Sequence, residues 1–177
     1  MNQESLRTSG SVDADNSQPT TDLISAEEVL RRYANMVYRL ALARVKNRHD
    51  AEDILQEVFL RYIRSKPACR DEEHRKAWLI RTAINCSKSL LTSAWFRRTT
   101  AMGESPAAGL PEESGVYEAV MALPLQYRTV VHLFYFEDYS IAEMAALLQR
   151  KEATIKTQLF RARERLRSQL KGEMADV

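Results

Sequence analysis

The sequence predicts an all-α protein of two small helical domains, an N-terminal helix bundle and a C-terminal helix-turn-helix domain, joined by a flexible linker. Three observations carry this. Apolar residues recur at helical spacing behind polar capping residues. Only five Gly and five Pro occur in 177 residues, few for a β protein. Five of those ten (Gly103, Pro106, Gly109, Pro111 and Gly115) fall between residues 99 and 115, a composition that lets flanking domains move independently.

Residues 1–22 are polar, without an apolar stripe, and are expected to stay disordered. The first domain is expected over 23–98. Ser25 and Glu28 have capping-box spacing, and Val29, Tyr33, Val37, Leu40 and Ala41 keep one helix face apolar to about Val45. Asp50 is the expected N-cap of a second helix with a stripe of Ile54, Leu55, Val58, Phe59, Tyr62 and Ile63, closed by Pro67. A third helix is expected from Glu72 to about Leu91, burying Ala77, Trp78, Ile80, Ile84 and Leu91 or close neighbours. After the linker (99–115) a second domain is expected over 116–171. Val116, Val120 and Leu123 form one helix, and Val130, Val131, Leu133, Phe134 and Phe136 follow Pro124 in the next. Ser140 and Glu143 make another capping box, opening a pair of helices.

Charge is segregated along these elements although the whole chain carries only +2. Asp50, Glu52, Asp53 and Glu57 crowd the second helix, where Asp53, Gln56 and Glu57 share one face. A solvated face is the ordinary reading of such a cluster; a docking surface for a basic protein is the sharper one. From Arg75 to Arg98 there are six cations (Arg75, Lys76, Arg81, Lys88, Arg97, Arg98), no acid, and both tryptophans, Trp78 and Trp95. Cations meet phosphates while aromatic faces stack on unpaired bases, which is how single strands are held. Trp78 also fits a core stripe. Between Gln149 and Lys171 eight cations face only Glu152 and Glu164. There Ile155, Leu159, Ala162 and Leu166 point inward, leaving Thr154, Lys156, Thr157, Phe160 and Arg161 on the leading face of a recognition helix. No Gly or Pro breaks 140–170, but the apolar stripe skips a turn at Lys151, where the break is expected.

Other classes fit poorly. Cys69 and Cys86 are too few for a disulfide scaffold and lack metal spacing. No apolar run nears the roughly 18–20 residues that cross a bilayer, and the N-terminus has no signal-peptide core, so a cytoplasmic chain with no membrane insertion is expected. His49, His74 and His132 join no nucleophile or ligand motif, and no Gly-rich phosphate loop occurs, so neither an enzyme nor a cofactor is expected.

With these residues laid out, the chain resembles a sigma-70 family RNA polymerase sigma factor of the two-domain, extracytoplasmic-function type. The resemblance rests on Asp50-Ala-Glu-Asp-Ile-Leu-Gln-Glu-Val-Phe59, Ala77-Trp-Leu-Ile-Arg-Thr-Ala-Ile-Asn85, Leu123-Pro-Leu-Gln-Tyr-Arg128 and Thr154-Ile-Lys-Thr-Gln-Leu-Phe-Arg-Ala-Arg163, in the family's order. It implies that Asp53, Gln56 and Glu57 grip the clamp helices of the polymerase β′ subunit, and that the β flap is a second polymerase contact. It also implies that Trp78, Arg81, Asn85, Lys88, Trp95, Arg97 and Arg98 recognise and help melt the minus-10 element. Thr154, Lys156, Thr157, Phe160, Arg161 and Arg163 would read the minus-35 duplex, and an anti-sigma factor is a further expected partner. The chain departs from the family pattern at Gln149, Lys151 and Ala153, where two glycines and a small polar cap are usual, and at Ser89 and Thr92, where Asp and Arg are common. Two other readings stand beside this one. A helix-turn-helix regulator acting without polymerase explains the last fifty residues only, and a helical adaptor treats all the charge as solvated surface.

Overall fold

The computed structural model describes residues 25–93 and 115–173, with side chains through residue 170. The expected disordered extension and the linker before Gly115 lie outside the described residues. Within them the regular elements are helices: α1 (Ala26–Val45), α2 (Arg48–Ser65), α3 (Glu72–Thr92), α4 (Gly115–Ala122), α5 (Leu125–Tyr135), α6 (Ile141–Leu148) and α7 (Glu152–Glu173).

The caps explain where the helices begin. Ser25 Oγ accepts from Glu28 N–H at 3.1 Å, but the Glu28 carboxylate turns to Arg31 at 2.9 Å and Arg32 at 3.5 Å, so half of the expected box forms. The second helix starts earlier than Asp50. Asn47 caps it, its side-chain oxygen accepting from Asp50 N–H at 3.0 Å. Asn caps as well as Asp, and choosing it adds most of a helical turn. Ahead of α6 both halves of the box are present, Ser140 N–H donating to Glu143 at 2.8 Å and Glu143 N–H to Ser140 Oγ at 3.3 Å.

α1, α2 and α3 make the N-terminal bundle. Val29, Val37, Leu40, Ile54, Val58, Leu79, Ile80 and Ala83 are buried at its centre. Tyr33 and Glu72 clasp α1 to the start of α3 through a 2.9 Å hydrogen bond, beside an Arg32–Glu72 ion pair at 2.9 Å. Burial, then the bond to Glu72, pushes the Tyr33 hydroxyl up to about 12, so it stays a neutral donor. In α3 the buried stripe is Leu79, Ile80, Ala83 and Cys86, whereas Ala77, Trp78, Ile84 and Leu91 are only half-buried at its edge. In α2 Ile63 is 50% exposed instead of completing the stripe.

The C-terminal unit has its own small core, in which Leu123, Tyr127 and Val131 meet Ala162 of α7. The opposite face of α5 does something the periodicity did not reveal. Val130 and Leu133, with Met144 and Leu147 of α6, join the same apolar cluster as the N-terminal bundle. The reason lies in α1. Six successive residues, from Leu40 to Val45, are buried, so the end of α1 is enclosed on every side and not on one face. α2 and α3 cover part of it and α5 covers the rest. Apart from Arg44, which is hydrogen-bonded to Ser87 and Thr129, this end is apolar all round, as suits a helix inside a core, and Ala41 and Ala43 let the neighbours approach closely.

The break between α6 and α7 falls at Gln149, Arg150 and Lys151, as the skipped turn predicts. Gln149 ends α6 in the left-handed conformation, φ 53° and ψ 50°, its N–H donating to Ala145 O. This is the position at which a glycine is favoured, because a Cβ there costs about 1–2 kcal/mol. Gln149→Gly is therefore expected to stabilise the fold by about 0.5–1 kcal/mol once the extra backbone entropy of Gly is subtracted. Thermal unfolding should show a rise in Tm of about 1–4 °C, with no rise in Gln149→Ala.

Candidate nucleic-acid interface

Three surfaces carry the charged residues singled out in the sequence. On α2, Asp53 and Gln56 are exposed and Glu57 is half-exposed, so the three share the outward face. Glu57 is held by Arg61, whose Nε donates to it at 2.6 Å, and Asp53 lies 3.9 Å from His49 Nδ1. Asp50, at the start of the same helix, is half-buried, and burial, then the neighbouring Asp53, pushes its carboxyl up.

On α3, Trp78, Arg81, Asn85 and Lys88 recur at three- and four-residue steps and line one side of the helix. Trp78 is half-buried and meets Tyr62 edge-on, with centroids 5.6 Å apart and planes at 72°. One part of the ring is thus fixed on α2. The rest borders a hollow of about 410 Å³ lined by Arg61, Arg64, Ser65, Thr82 and Asn85. Arg81, Asn85 and Lys88 form one wall of a larger cleft of about 570 Å³. Its opposite wall comes from the C-terminal unit and includes Gln126, Gln149, Arg150 and Gln158. No carboxylate lines either space among the described residues. Trp95, Arg97 and Arg98 lie outside the described residues.

On α7, Ile155, Leu159 and Ala162 are buried, and Leu166 is half-buried beside them. Anchoring that face turns Lys156, Thr157, Phe160 and Arg161 outward, Phe160 being 60% exposed. Thr154 is half-buried and, with Thr157, Arg161, Gln126 and Arg150, borders a hollow of about 410 Å³. Arg163 is brought to a different place. Its Nε donates to Tyr135 Oη at 2.9 Å and its guanidinium lies 5.3 Å from the Phe134 ring centre, so it braces α7 against α5.

The structure adds Arg61 and Arg64 beside Trp78, and Arg150 and Gln126 beside the recognition helix. The first pair had a signal. α2 changes sign along its length, from Asp50, Glu52, Asp53 and Glu57 to Arg61 and Arg64. Gln126 had none, because its place depends on how α5 meets α7. Among the described residues no group of three or more His, Cys, Asp or Glu is placed to hold a metal, and no helix is long and apolar enough to cross a membrane.

This arrangement pairs a charged bundle with a helix-turn-helix, and known proteins match it in that order. Residues 29–97 match the family described as Sigma-70 region 2, and residues 115–166 match Sigma-70, region 4. The RNA polymerase sigma factor SigV of Bacillus subtilis is 33% identical over 141 residues, covering 77% of this chain and 85% of SigV. The ECF RNA polymerase sigma factor SigM of the same organism is 30% identical over 160 residues, covering 82% of this chain and 94% of SigM. The chain belongs to the sigma-70 family of RNA polymerase sigma factors, and to its extracytoplasmic-function type. A solved structure shares the fold: the sigma factor RpoE of Bartonella quintana, crystallised with the anti-sigma factor NepR, superposes with a TM-score of 0.67 at 22% identity, covering 82% of this chain and 96% of that one.

As a sigma factor the chain directs promoter-specific initiation by RNA polymerase, and a regulator working without polymerase is not favoured. The different settings of two arginines on α7 of this sigma factor can be measured directly. Arg163→Ala should lower stability by about 0.5–1 kcal/mol, since it removes the hydrogen bond to Tyr135 and the packing on two rings. Arg161→Ala, on the outward face, should leave Tm within about 1 °C in the same melt.

Proposed function

We propose that this sigma factor divides its work among the three surfaces. Residues 23–98 form the unit that docks on polymerase and opens the minus-10 element. Residues 116–171 form the unit that reads minus-35, and 99–115 join them. Asp53, Gln56 and Glu57 meet the β′ clamp helices, a basic surface complementary to their carboxylates. The C-terminal unit meets the β flap as well as DNA. Arg61 beside Glu57 gives that carboxylate a local partner, which the clamp helices must share or displace.

On α3, Trp78 with Arg81, Asn85 and Lys88 takes the non-template strand as it leaves the duplex, and Trp95, Arg97 and Arg98 are assigned to the same task. Opening requires no bond chemistry. Stacking contributes roughly 1–3 kcal/mol per base, so a few captured bases offset the cost of unpairing. On α7, Lys156, Thr157 and Arg161 contact base edges and phosphates, Thr154 lies at the start of the same row, and exposed Phe160 offers apolar contact to a thymine methyl. Arg163 acts by holding α7 in place. The protein works in the cytoplasm as a specificity subunit and not as a catalyst, and an anti-sigma factor holds it in reserve. The observation that carries this reading is α7 itself, a basic helix whose buried face leaves Lys156, Thr157, Phe160 and Arg161 together in solvent.

Run-off transcription with core polymerase on genomic promoter fragments tests it. Discrete transcripts should depend on this protein and disappear when Asp53 and Glu57 are changed to Lys, with duplex binding by the C-terminal unit retained. The holoenzyme carrying Lys156→Ala and Arg161→Ala should bind promoter more weakly. Its log affinity against log salt should be shallower by up to about 0.9 for each phosphate that is no longer neutralised. Salt-sensitive duplex binding with no transcript under any condition would overturn the sigma-factor assignment of these surfaces.

A further inference from the structure

Arg44, near the end of α1, is a buried cation that faces no anion among the described residues. It is 8% exposed, and its guanidinium donates to two neutral hydroxyls, Ser87 Oγ of α3 and, at 2.7 Å, Thr129 Oγ1 of α5. Each hydroxyl is itself tied to a carbonyl, Ser87 to Ile84 O and Thr129 to Leu125 O. The third nitrogen, Nη2, has no acceptor among the described residues. Its charged neighbour is a second guanidinium, Arg128, and burial followed by that repulsion lowers the Arg44 pKa to about 10. Arg128 is met by carbonyls at two helix ends, and Arg44 has no such compensation. A buried charge without a counter-charge is costly, and in folded proteins such groups are paired.

Arg44 helps to line the cleft of about 570 Å³ between α3 and the C-terminal unit. Three more cations line it, Arg81 and Lys88 from α3 and Arg150 from the turn before α7. All three are exposed, and the ion pairs among the described residues involve other cations. Four positive charges therefore meet in one space with no carboxylate in its lining.

We propose that this cleft is a binding site for a free nucleotide with two or more phosphates, which supply the anion that Arg44, Arg81, Lys88 and Arg150 lack. A terminal phosphate brings about −1.5 to −2 of charge, so one alone leaves four cations unbalanced. The volume lies within the roughly 300–1,000 Å³ of small-ligand sites. Elsewhere in the lining, Ile84, Leu147 and Leu148 give apolar surface while Gln126 and Gln158 give amides. That mixture suits a flat heterocycle, held by its faces and read at its edges. A nucleic-acid strand offers phosphates too, but each carries a single charge, and a strand must leave the cleft at both ends. The end of a short anion reaches buried Arg44 where the middle of a polymer does not. With the nucleotide seated, Arg81, Asn85 and Lys88 are engaged on the face assigned above to the non-template strand, so nucleotide and strand exclude one another. That consequence rests on the α3 assignment; the site itself does not.

Titration calorimetry of the full-length protein with ATP, in magnesium-free buffer, tests the site. ATP should bind saturably and one to one, with AMP and inorganic phosphate weaker by about tenfold or more. Lys88→Ala and Arg150→Ala change exposed residues, so the fold is retained, and each should weaken ATP about tenfold by removing a charge-assisted hydrogen bond. Arg44→Gln should abolish binding; if that variant does not fold, the two exposed ones decide. Arg167→Ala, which removes an exposed cation of α7 outside the cleft, should leave the affinity unchanged. Absence of saturable ATP binding, or equal weakening by Arg167→Ala, would overturn the site. So would binding of a single-stranded oligonucleotide but not of ATP, lost in Arg150→Ala, which would give the cleft to a strand. ATP that binds as expected but fails to displace a minus-10 non-template oligonucleotide from the protein would uphold the site and refute the placement of the strand on α3.

Discussion

The arrangement of the chain turns on one guanidinium. Arg128 donates to the carbonyls of Ala43 and Arg44, which end α1, and to those of Met121 and Leu123, at the end of α4. The last carbonyls of a helix have no partner within it and carry the negative end of its dipole. Two such ends are brought to one cation, which satisfies acceptors that burial would otherwise leave costly. The direction of α4, the seat of α5 and the position of the following helix pair all depend on that convergence. It also accounts for an arginine in the Leu123-Pro-Leu-Gln-Tyr-Arg128 run, where its side chain is buried among helix ends and adds nothing to the exposed basic faces of α3 and α7.

Much of this was legible in the sequence, wherever a local rule decided the outcome. The Ser140–Glu143 box, the start of α3 at Glu72, the inward row of Ile155, Leu159 and Ala162, and the break near Lys151 depend on residues a few positions apart. Where two local solutions were close in energy the reading slipped, as at Asn47 against Asp50. Where long-range packing decided, it failed in a consistent way. The stripe of α3 is displaced from Ala77 and Trp78 towards Leu79 and Ala83. The all-round burial at the end of α1 reads in sequence as one apolar face with some spare alanines, because the helix that covers it lies more than eighty residues away.

The candidate site divides along the same line. Candidate residues that depend only on being exposed on a single helix were readable, since burying Ile155 and Leu159 forces Lys156, Thr157 and Phe160 outward. Those whose role depends on a neighbouring helix were not. Arg163 belongs to the same basic run as Arg161 but is turned to Tyr135, and Arg61 and Arg64 complete the surroundings of Trp78 from α2. Gln149 shows a third case: the left-handed turn forms without the usual glycine, so the helix pair keeps its geometry and bears the strain locally.

The separation in sequence between Arg128 and its acceptors on α1, 84 and 85 residues, also orders the protein in time. Contacts within α1, α2 and α3 span at most about seventy residues, and those that fix the turns span four or fewer. During synthesis at about 5–20 residues per second, the N-terminal bundle is complete for several seconds before Arg128 leaves the ribosome. Each newly made molecule therefore passes through an interval in which the end of α1 is uncovered and its carbonyls are met by water. Nascent chains present that surface to whatever is nearby until α5 arrives to cover it.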